Sequence, residues 1–555
     1  MTVLRPRLAA ADIAAHAVPR RLREEYRRFG YVTDLTMSAL TERAARQWPD
    51  RPALVQAERR LTHRELLALV ERAAGWLDGI GAGPGDVVCW QTPNWWEAQV
   101  LGLAIWHLGA VSCPVVPFYR EHELRQIIEQ VRPSVVVTAG EHRGFAHAEA
   151  FDELLADARL DDTVRIILRG SRARWTAFDE VISARPRRAC TTAMADEPCL
   201  ILFTSGTTSA AKGAVHSSQT LLAETRQLAD AWGLGWEDAG YMAAPLQHIT
   251  GVLNAMTIPL LVGARAVLAD RWVPELAVRD IAAHRVTWSA GATVFLQELT
   301  EAARADGNRL PLRMFACGGA SVPRAVMEQS EEQGIPAARV YGLTELPTVT
   351  VMNRSYPFAA RAGTDGAIAP GVEVRVSDGD IWMLPPGSEG ELLVRGPERM
   401  VGYLDAASNR EALDDDGWLR TGDVGSVDTA GFLTVTGRMK DIVNRGGEKF
   451  CARDIEDLLA AHPAVRQAAV APGPDARFGE VPVAFVVLDP AVLDPAGPVA
   501  ADELARHLHA AGLARQKTPA AWHFLEALPM TPSGKVKKFE LAQIMAGRQG
   551  TGGHR

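Results

Sequence analysis

Apolar positions along the chain follow two rhythms. Over residues 61–81 (LTHRELLALVERAAGWLDGIG) they recur at three- and four-residue intervals, which predicts a helix that starts after Thr62 and stops at the glycines. Short unbroken apolar runs follow it: GDVVCWQ, VSCPVV and PSVVVTA, then ARAVLAD, RVTWSA and LRMFACGGA. Runs of this length set between helical patterns predict strands of an α/β domain with largely parallel sheets. From about residue 360 the rhythm changes, and GVEVRVSDGDIWMLPPGSEGELLVRG alternates with period two between Gly/Pro turns. An antiparallel β subdomain is expected there. After FLTVTGRMKD comes a last α/β stretch of about 115 residues, the size of a second domain. The longest uncharged stretch, near 100–118, holds His107, Pro114 and Pro117. It splits into a helical part and a strand-like 110–116, a buried helix–strand step rather than a membrane span.

Composition narrows the class. The 555 residues are 47% hydrophobic and 23% charged, globular values that exclude global disorder. With 59 basic against 67 acidic residues the net charge is -8, which gives no general electrostatic reason to bind nucleic acid. The six cysteines are scattered without a CxxC, as expected of buried thiols in a reducing, cytoplasmic setting. His507 and His509 stand two apart with no further ligand nearby, which predicts exposure on a C-terminal helix and no metal site. Residues 1–30 are Arg-rich but interrupted by acids and lack an apolar core, so they read as an amphipathic surface segment, with organelle targeting as the alternative, and not a secretory leader. The run from Asp414 to Gly417 reads as a solvated turn.

The strongest chemical signal is LFTSGTTSAAKGAVHS, residues 202–217. An apolar strand ends in Thr204, Ser205, Gly206, Thr207, Thr208 and Ser209, and Lys212-Gly213 closes the loop. Hydroxyls and close backbone N–H groups wrap phosphate oxygens while a lysine supplies a point charge. The spacing is not that of GxxxxGK[ST]. On the residues alone, a phosphate loop or a Ser/Thr-rich linker both remain open. Farther on come PLQHITG (245–251), CGGA (317–320), YGLTE (341–345), GELLVRGPERMVGY (390–403), TGD (421–423), GRMKDIVNRGGEKF (437–450) and LPMTPSGKVKK (528–538). Tyr341 could stack on a purine with Gly318, Gly319 and Ala320 admitting a flat base, or the two motifs could form an ordinary tight turn.

This ordered set, covering roughly residues 35 to 545, resembles the adenylate-forming (ANL) superfamily of acyl-CoA synthetases, aryl acid-AMP ligases, nonribosomal adenylation domains and firefly luciferase. The resemblance implies a large N-terminal domain, 1–439, of parallel-rich α/β subdomains plus the antiparallel β subdomain. A small mobile C-terminal α+β domain, 440–555, would swing about a hinge at Lys440. It further implies that Lys535 is the catalytic lysine, stabilising charge as a carboxylate attacks the α-phosphate. Thr344 and His248 join it at the reacting centre, His248 as the gate of the acyl pocket. The nucleotide would be met by Thr204, Ser205, Gly206, Thr207, Thr208, Lys212, Gly318, Gly319, Ala320, Tyr341, Gly342, Asp423 on the ribose, and Arg438. Glu345, helped by Thr204, would hold Mg²⁺, which with phosphates needs only a carboxylate or two plus water. Gly446 and Gly447 would let a loop pass close to the pantetheine arm of the acceptor. Lys537 and Lys538 read as exposed helix charges.

In the phosphate loop the family's Gly-x-Pro-Lys-Gly is replaced by Ser209-Ala210-Ala211-Lys212-Gly213, which changes backbone freedom and puts rate, not reaction type, in question. The implied cofactors are ATP, Mg²⁺ and coenzyme A. The implied substrate is a cyclic, aromatic or medium-chain carboxylic acid, activated as acyl-AMP with pyrophosphate release. Other readings are a carrier-protein thiol or an amine as acceptor, a diazotase that activates nitrite for an aryl amine, and a non-catalytic nucleotide-binding relative. The last conflicts with the joint presence of Lys535, Glu345, Asp423 and Arg438. A monomer or homodimer is expected, with no membrane span.

Overall fold

The computed structural model describes residues 8, 18–188, 193–204, 211–307, 309–319, 322–379, 382–445, 448–475, 477–489, 500–530 and 536–549. Two large sheets carry its first part. One has eight strands and is mostly parallel, with Val87–Gln91, Val111–Pro114, Val135–Ala139 and Val164–Leu168 beside Pro198–Thr204. The other has seven strands, among them Ala239–Met242, Arg265–Leu268, Trp288–Gly291, Met314–Cys317 and Ala337–Arg339, all parallel. Strands Val87–Gln91 and Val135–Ala139 are buried at every position, as both faces of a covered parallel sheet require. One core cluster draws on both sheets, through Val88 and Trp90 from the first and Leu268 and Trp288 from the second.

Helix His63–Gly79 begins where expected because Thr62 makes a capping box with Glu65. Its buried face is Leu66, Val70, Ala73, Ala74 and Leu77. The uncharged stretch forms helix Trp96–His107, then strand Val111–Pro114, as its pattern predicts. No helix of the described residues is long and apolar enough to cross a membrane. Helix Arg20–Arg28 buries Leu22 and Tyr26 and leaves its arginines outside, the amphipathic segment expected there.

The antiparallel unit is a four-strand sheet in the order Glu373–Ser377, Gly390–Arg395, Leu419–Val427, Leu433–Arg438. The 3-10 turn Met439–Asp441 leaves it, and the next strand, Ile442–Arg445, belongs to a separate five-strand sheet. That sheet buries both faces. Ala484 and Val486 point to one cluster, with Ile455 and Leu504, whereas Val483, Phe485 and Val487 point to another, with Leu528 and Leu541.

Two expectations for this region are corrected. Lys538 is not an exposed helix charge, because its ammonium lies 2.9 Å from Glu456 and 3.4 Å from Asp441. His507 is half-buried: its ring meets His462 edge-on at 4.8 Å and its Nε2–H donates to the Leu458 carbonyl. Cys89, Cys113, Cys317 and Cys451 are buried free thiols.

Candidate active site

Tyr341, Glu345, Asp423 and Arg438 gather where the Met314–Cys317 and Ala337–Arg339 strands end and the antiparallel sheet begins, the edge at which open α/β sheets hold ligands. Two corners form there. In the first, strand pairing sets Asp423 opposite Arg438, and Asp423 Oδ1 meets Arg438 Nε at 2.8 Å. Asp423 Oδ2 accepts the Tyr341 hydroxyl at 2.7 Å, and Thr421 Oγ1 accepts the Asp423 N–H at 3.0 Å. Asp423's carboxylate is the first cause that raises the guanidinium's pKa. Burial, then Asp423's charge, pushes the Tyr341 phenol well up, so it stays a donor.

The turns around Tyr341 are glycine for reasons of their own packing. A Cβ on Gly318 would lie 2.6 Å from the Val340 carbonyl, and one on Gly342 would strike that of Pro347. Gly319 has φ +80°, a left-handed backbone. Behind Tyr341, the Arg339 guanidinium grips Asp365 at 2.7 and 2.9 Å, and Asp365 also accepts the Val435 N–H at 2.8 Å. That contact pins the parallel sheet to the antiparallel one.

The second corner centres on Glu345. Its Oε1 accepts the Tyr403 hydroxyl at 2.6 Å, and its carbonyl accepts the Met400 N–H at 2.8 Å. Tyr403 is set opposite Ala214 in the short pairing of Gly402–Tyr403 with Lys212–Ser217. Its ring lies 5.5 Å from the Lys212 ammonium, which also reaches Glu411 at 3.2 Å. Thr204 pairs with Lys212, whose carbonyl accepts its hydroxyl at 3.4 Å. Thr204, Lys212 and Glu345 are therefore joined through Tyr403, which motif reasoning did not single out although it ends the quoted GELLVRGPERMVGY.

Thr344 is held from behind. Its carbonyl can only accept, so His216 Nε2 carries the proton at 2.8 Å, and His216 Nδ1 faces Thr220 Oγ1 at 3.1 Å. Burial lowers the His216 pKa to about 4, keeping the ring neutral. His248 starts the short turn Ile249–Gly251, and its Nδ1 accepts the Thr250 N–H at 3.4 Å. Ala211 is anchored at both its N–H and its carbonyl, by Gln126 and Gln130 at 3.0 Å each, one turn apart on helix Glu121–Val131. Ser205, Gly206, Thr207, Thr208, Ala320, Gly446, Gly447 and Lys535 lie outside the described residues.

A buried carboxylate with one oxygen taken by a phenol leaves a second hard-oxygen donor of the kind Mg²⁺ takes with phosphates. A buried Asp with hydroxyl and guanidinium partners suits a polar, hydroxylated ligand edge. The comparisons with known proteins give the family. Residues 41–404 match the family described as AMP-binding enzyme, and 454–535 match the AMP-binding enzyme C-terminal domain. The chain is 34% identical over 529 residues to a medium-chain fatty-acid–CoA ligase of Escherichia coli K12, covering 94% of this chain and 92% of that one. It is 32% identical to an indoleacetate–CoA ligase of Aromatoleum aromaticum, covering 92% and 98%. Among solved structures, o-succinylbenzoate coenzyme A synthetase from Bacillus subtilis, in complex with ATP and magnesium ion, superposes with TM-score 0.78 at 25% identity, covering 92% and 100%. With its matched N-terminal and C-terminal regions, this chain belongs to the AMP-binding enzyme family, within the adenylate-forming superfamily.

Proposed function

We propose that the protein uses ATP to activate a cyclic, aromatic or medium-chain carboxylic acid as its acyl-adenylate, releasing pyrophosphate, and then passes the acyl group to the thiol of coenzyme A. The observation that carries this reading is the Asp423–Arg438–Tyr341 corner, whose guanidinium feels the charge of Glu345 in the second corner. Asp423 accepts the ribose hydroxyls, and Arg438, held by Asp423, faces the nucleotide. Tyr341, Gly342, Gly318, Gly319 and Ala320 flank the base. Lys212 closes the phosphate loop formed by Thr204, Ser205, Gly206, Thr207 and Thr208. Glu345 and Thr204 would hold Mg²⁺, which when bound offsets phosphate charge. His216 fixes the Thr344 carbonyl, and His248 borders the acid's pocket.

Lys535 supplies the ammonium that meets charge developing at the α-phosphate. The carboxylate oxygen forms the new bond to the α-phosphorus as pyrophosphate leaves. The thiol then forms the thioester as AMP departs with that oxygen. In the second step Gly446 and Gly447 line the acceptor's approach. We place the domain boundary at Lys440, giving 1–439 and 440–555, with the turn Met439–Asp441 as the swivel between the two sheets. The similarity to ligases named for medium-chain fatty acids and indoleacetate supports an apolar acid and coenzyme A.

The test is an acid panel with ATP, Mg²⁺ and CoA, followed by thiol consumption and thioester mass. At least one cyclic, aromatic or medium-chain acid is expected to form a CoA thioester with stoichiometric AMP. AMP release with free CoA untouched, or only with nitrite and an aryl amine, would sink the CoA assignment.

A further inference from the structure

Helix Ser218–Trp232 presents a polar stripe to the interior. Thr220, Glu224 and Gln227 follow one another at helical spacing on its buried side, with Glu224 fully buried and Gln227 nearly so. Each touches a different part of the Glu345 surroundings. Thr220 meets His216, which holds the Thr344 carbonyl. Glu224 Oε1 accepts the Thr348 hydroxyl, and Thr348's backbone N–H also donates to the same carboxyl. Gln227 Nε2 donates to the Pro370 carbonyl at 2.6 Å and reaches Glu398 Oε2 at 3.5 Å. Glu398, also fully buried, precedes Met400, whose N–H holds the Glu345 carbonyl, and Tyr403, whose hydroxyl holds the Glu345 carboxylate.

We infer that Glu224, with Gln227 and Glu398, is a positioning brace: one helix fixes both the Thr344–Thr348 turn and the Met400–Tyr403 segment, and so sets where the Glu345 carboxylate points. This rests on the reading of Glu345 as the Mg²⁺ ligand. The brace uses neutral donors only. Among the described residues Glu224 Oε2 and Glu398 Oε1 have no partner, and no lysine or arginine pairs with either group. Burial, and for Glu398 also the facing Glu224 charge, pushes both carboxyls upward, toward the protonated form. A fully buried carboxyl that serves as a neutral acceptor is shaped like glutamine, which keeps the Oε1 that Thr348 needs. Leucine keeps the volume and loses the acceptor.

The experiment measures ATP binding by isothermal titration, with Mg²⁺ and with chelator, in wild type, Glu224→Gln, Glu224→Leu, Thr348→Val and Glu345→Gln. The reading is the factor by which Mg²⁺ tightens ATP, an equilibrium quantity independent of turnover. That factor is expected to fall about five- to tenfold in Glu224→Leu and Thr348→Val, as for one lost buried hydrogen bond, and to stay within about twofold in Glu224→Gln. Chelator-state binding should be unchanged in all three. If Glu224→Leu does not fold, Thr348→Val, which changes only a hydroxyl to a methyl, carries the result. An unchanged factor in folded Thr348→Val, or a fall in Glu224→Gln equal to that in Glu224→Leu, overturns the brace. Glu345→Gln separates the two levels: if it leaves the factor intact, the Mg²⁺ reading of Glu345 falls, and the inference with it. A fall there alone, with Thr348→Val unaffected, removes only the brace.

Discussion

Asp423 and Glu224 are carboxyl groups at nearly equal depth, 4% and 0% exposed, yet their surroundings are opposite. Asp423 meets a guanidinium at 2.8 Å and a phenol at 2.7 Å at the edge proposed to take the nucleotide. Among the described residues the Glu224 carboxyl hydrogen-bonds only Thr348, and its charge acts on another carboxyl, Glu398. Burying a charge without a cation is costly, so the two sites solve the problem differently. One supplies the cation and keeps a polar face for a partner. The other is pushed by burial toward its uncharged form and joins the framework. Depth alone does not tell a binding group from a structural one; the identity of its neighbours does.

Changes on the ligand side of this contrast should act most strongly. Lys535→Ala removes the ammonium proposed at the α-phosphate, and acid-dependent ATP–pyrophosphate exchange should fall by about a hundredfold or more, as for other lost transition-state donors. Exchange at the wild-type level would refute that role. Asp423→Ala takes the carboxylate from both Tyr341 and Arg438, so ATP affinity measured by titration should weaken about 10- to 100-fold. Tyr403→Phe leaves Glu345 in place but removes its hydroxyl donor. The concentration of Mg²⁺ needed for half-maximal exchange should rise about fivefold, the size of a single hydrogen bond.

The framework side should show itself in stability as well. Burial lowers His63, His147 and His216 to about 4 in the folded protein. Groups whose folded pKa is depressed bind protons in the unfolded chain first, so stability should be lost as pH falls from about 6.5 toward 4. Melting temperature across that window should drop, and less so for a His216→Gln variant. Glu224 has the opposite sign. Its raised folded pKa contributes stability below the ordinary carboxylate range and loses it as pH rises. Glu224→Gln should therefore melt about 2 °C above wild type at pH 9 and level with it at pH 5.

Much of this was legible along the chain. Unbroken apolar runs such as VVCWQ and PSVVVTA announce strands covered on both faces, and the Thr62–Glu65 pair announces its helix. Their division between two large sheets was not readable, because parallel pairing joins segments far apart in sequence, as Leu54 beside Ala266 shows. In the site, residues inside short motifs stood out, and strand register explains Asp423 opposite Arg438. The brace did not stand out. Polar residues at 220, 224 and 227 have the spacing of a helix's wet face, and only the packing of Thr348 and Glu398 against them reverses that reading. Lys538 was misread for the same reason: its partners Asp441 and Glu456 lie about a hundred residues earlier.

The central claim is that a carboxylate oxygen of the substrate becomes bonded to the α-phosphorus of ATP. It is tested most directly by supplying an accepted acid labelled with ¹⁸O in its carboxylate, together with ATP, Mg²⁺ and CoA, and weighing the nucleotide product. Each AMP formed should carry one labelled oxygen from the acid, with unlabelled pyrophosphate. AMP without label, or label recovered in inorganic phosphate, would contradict an acyl-adenylate route.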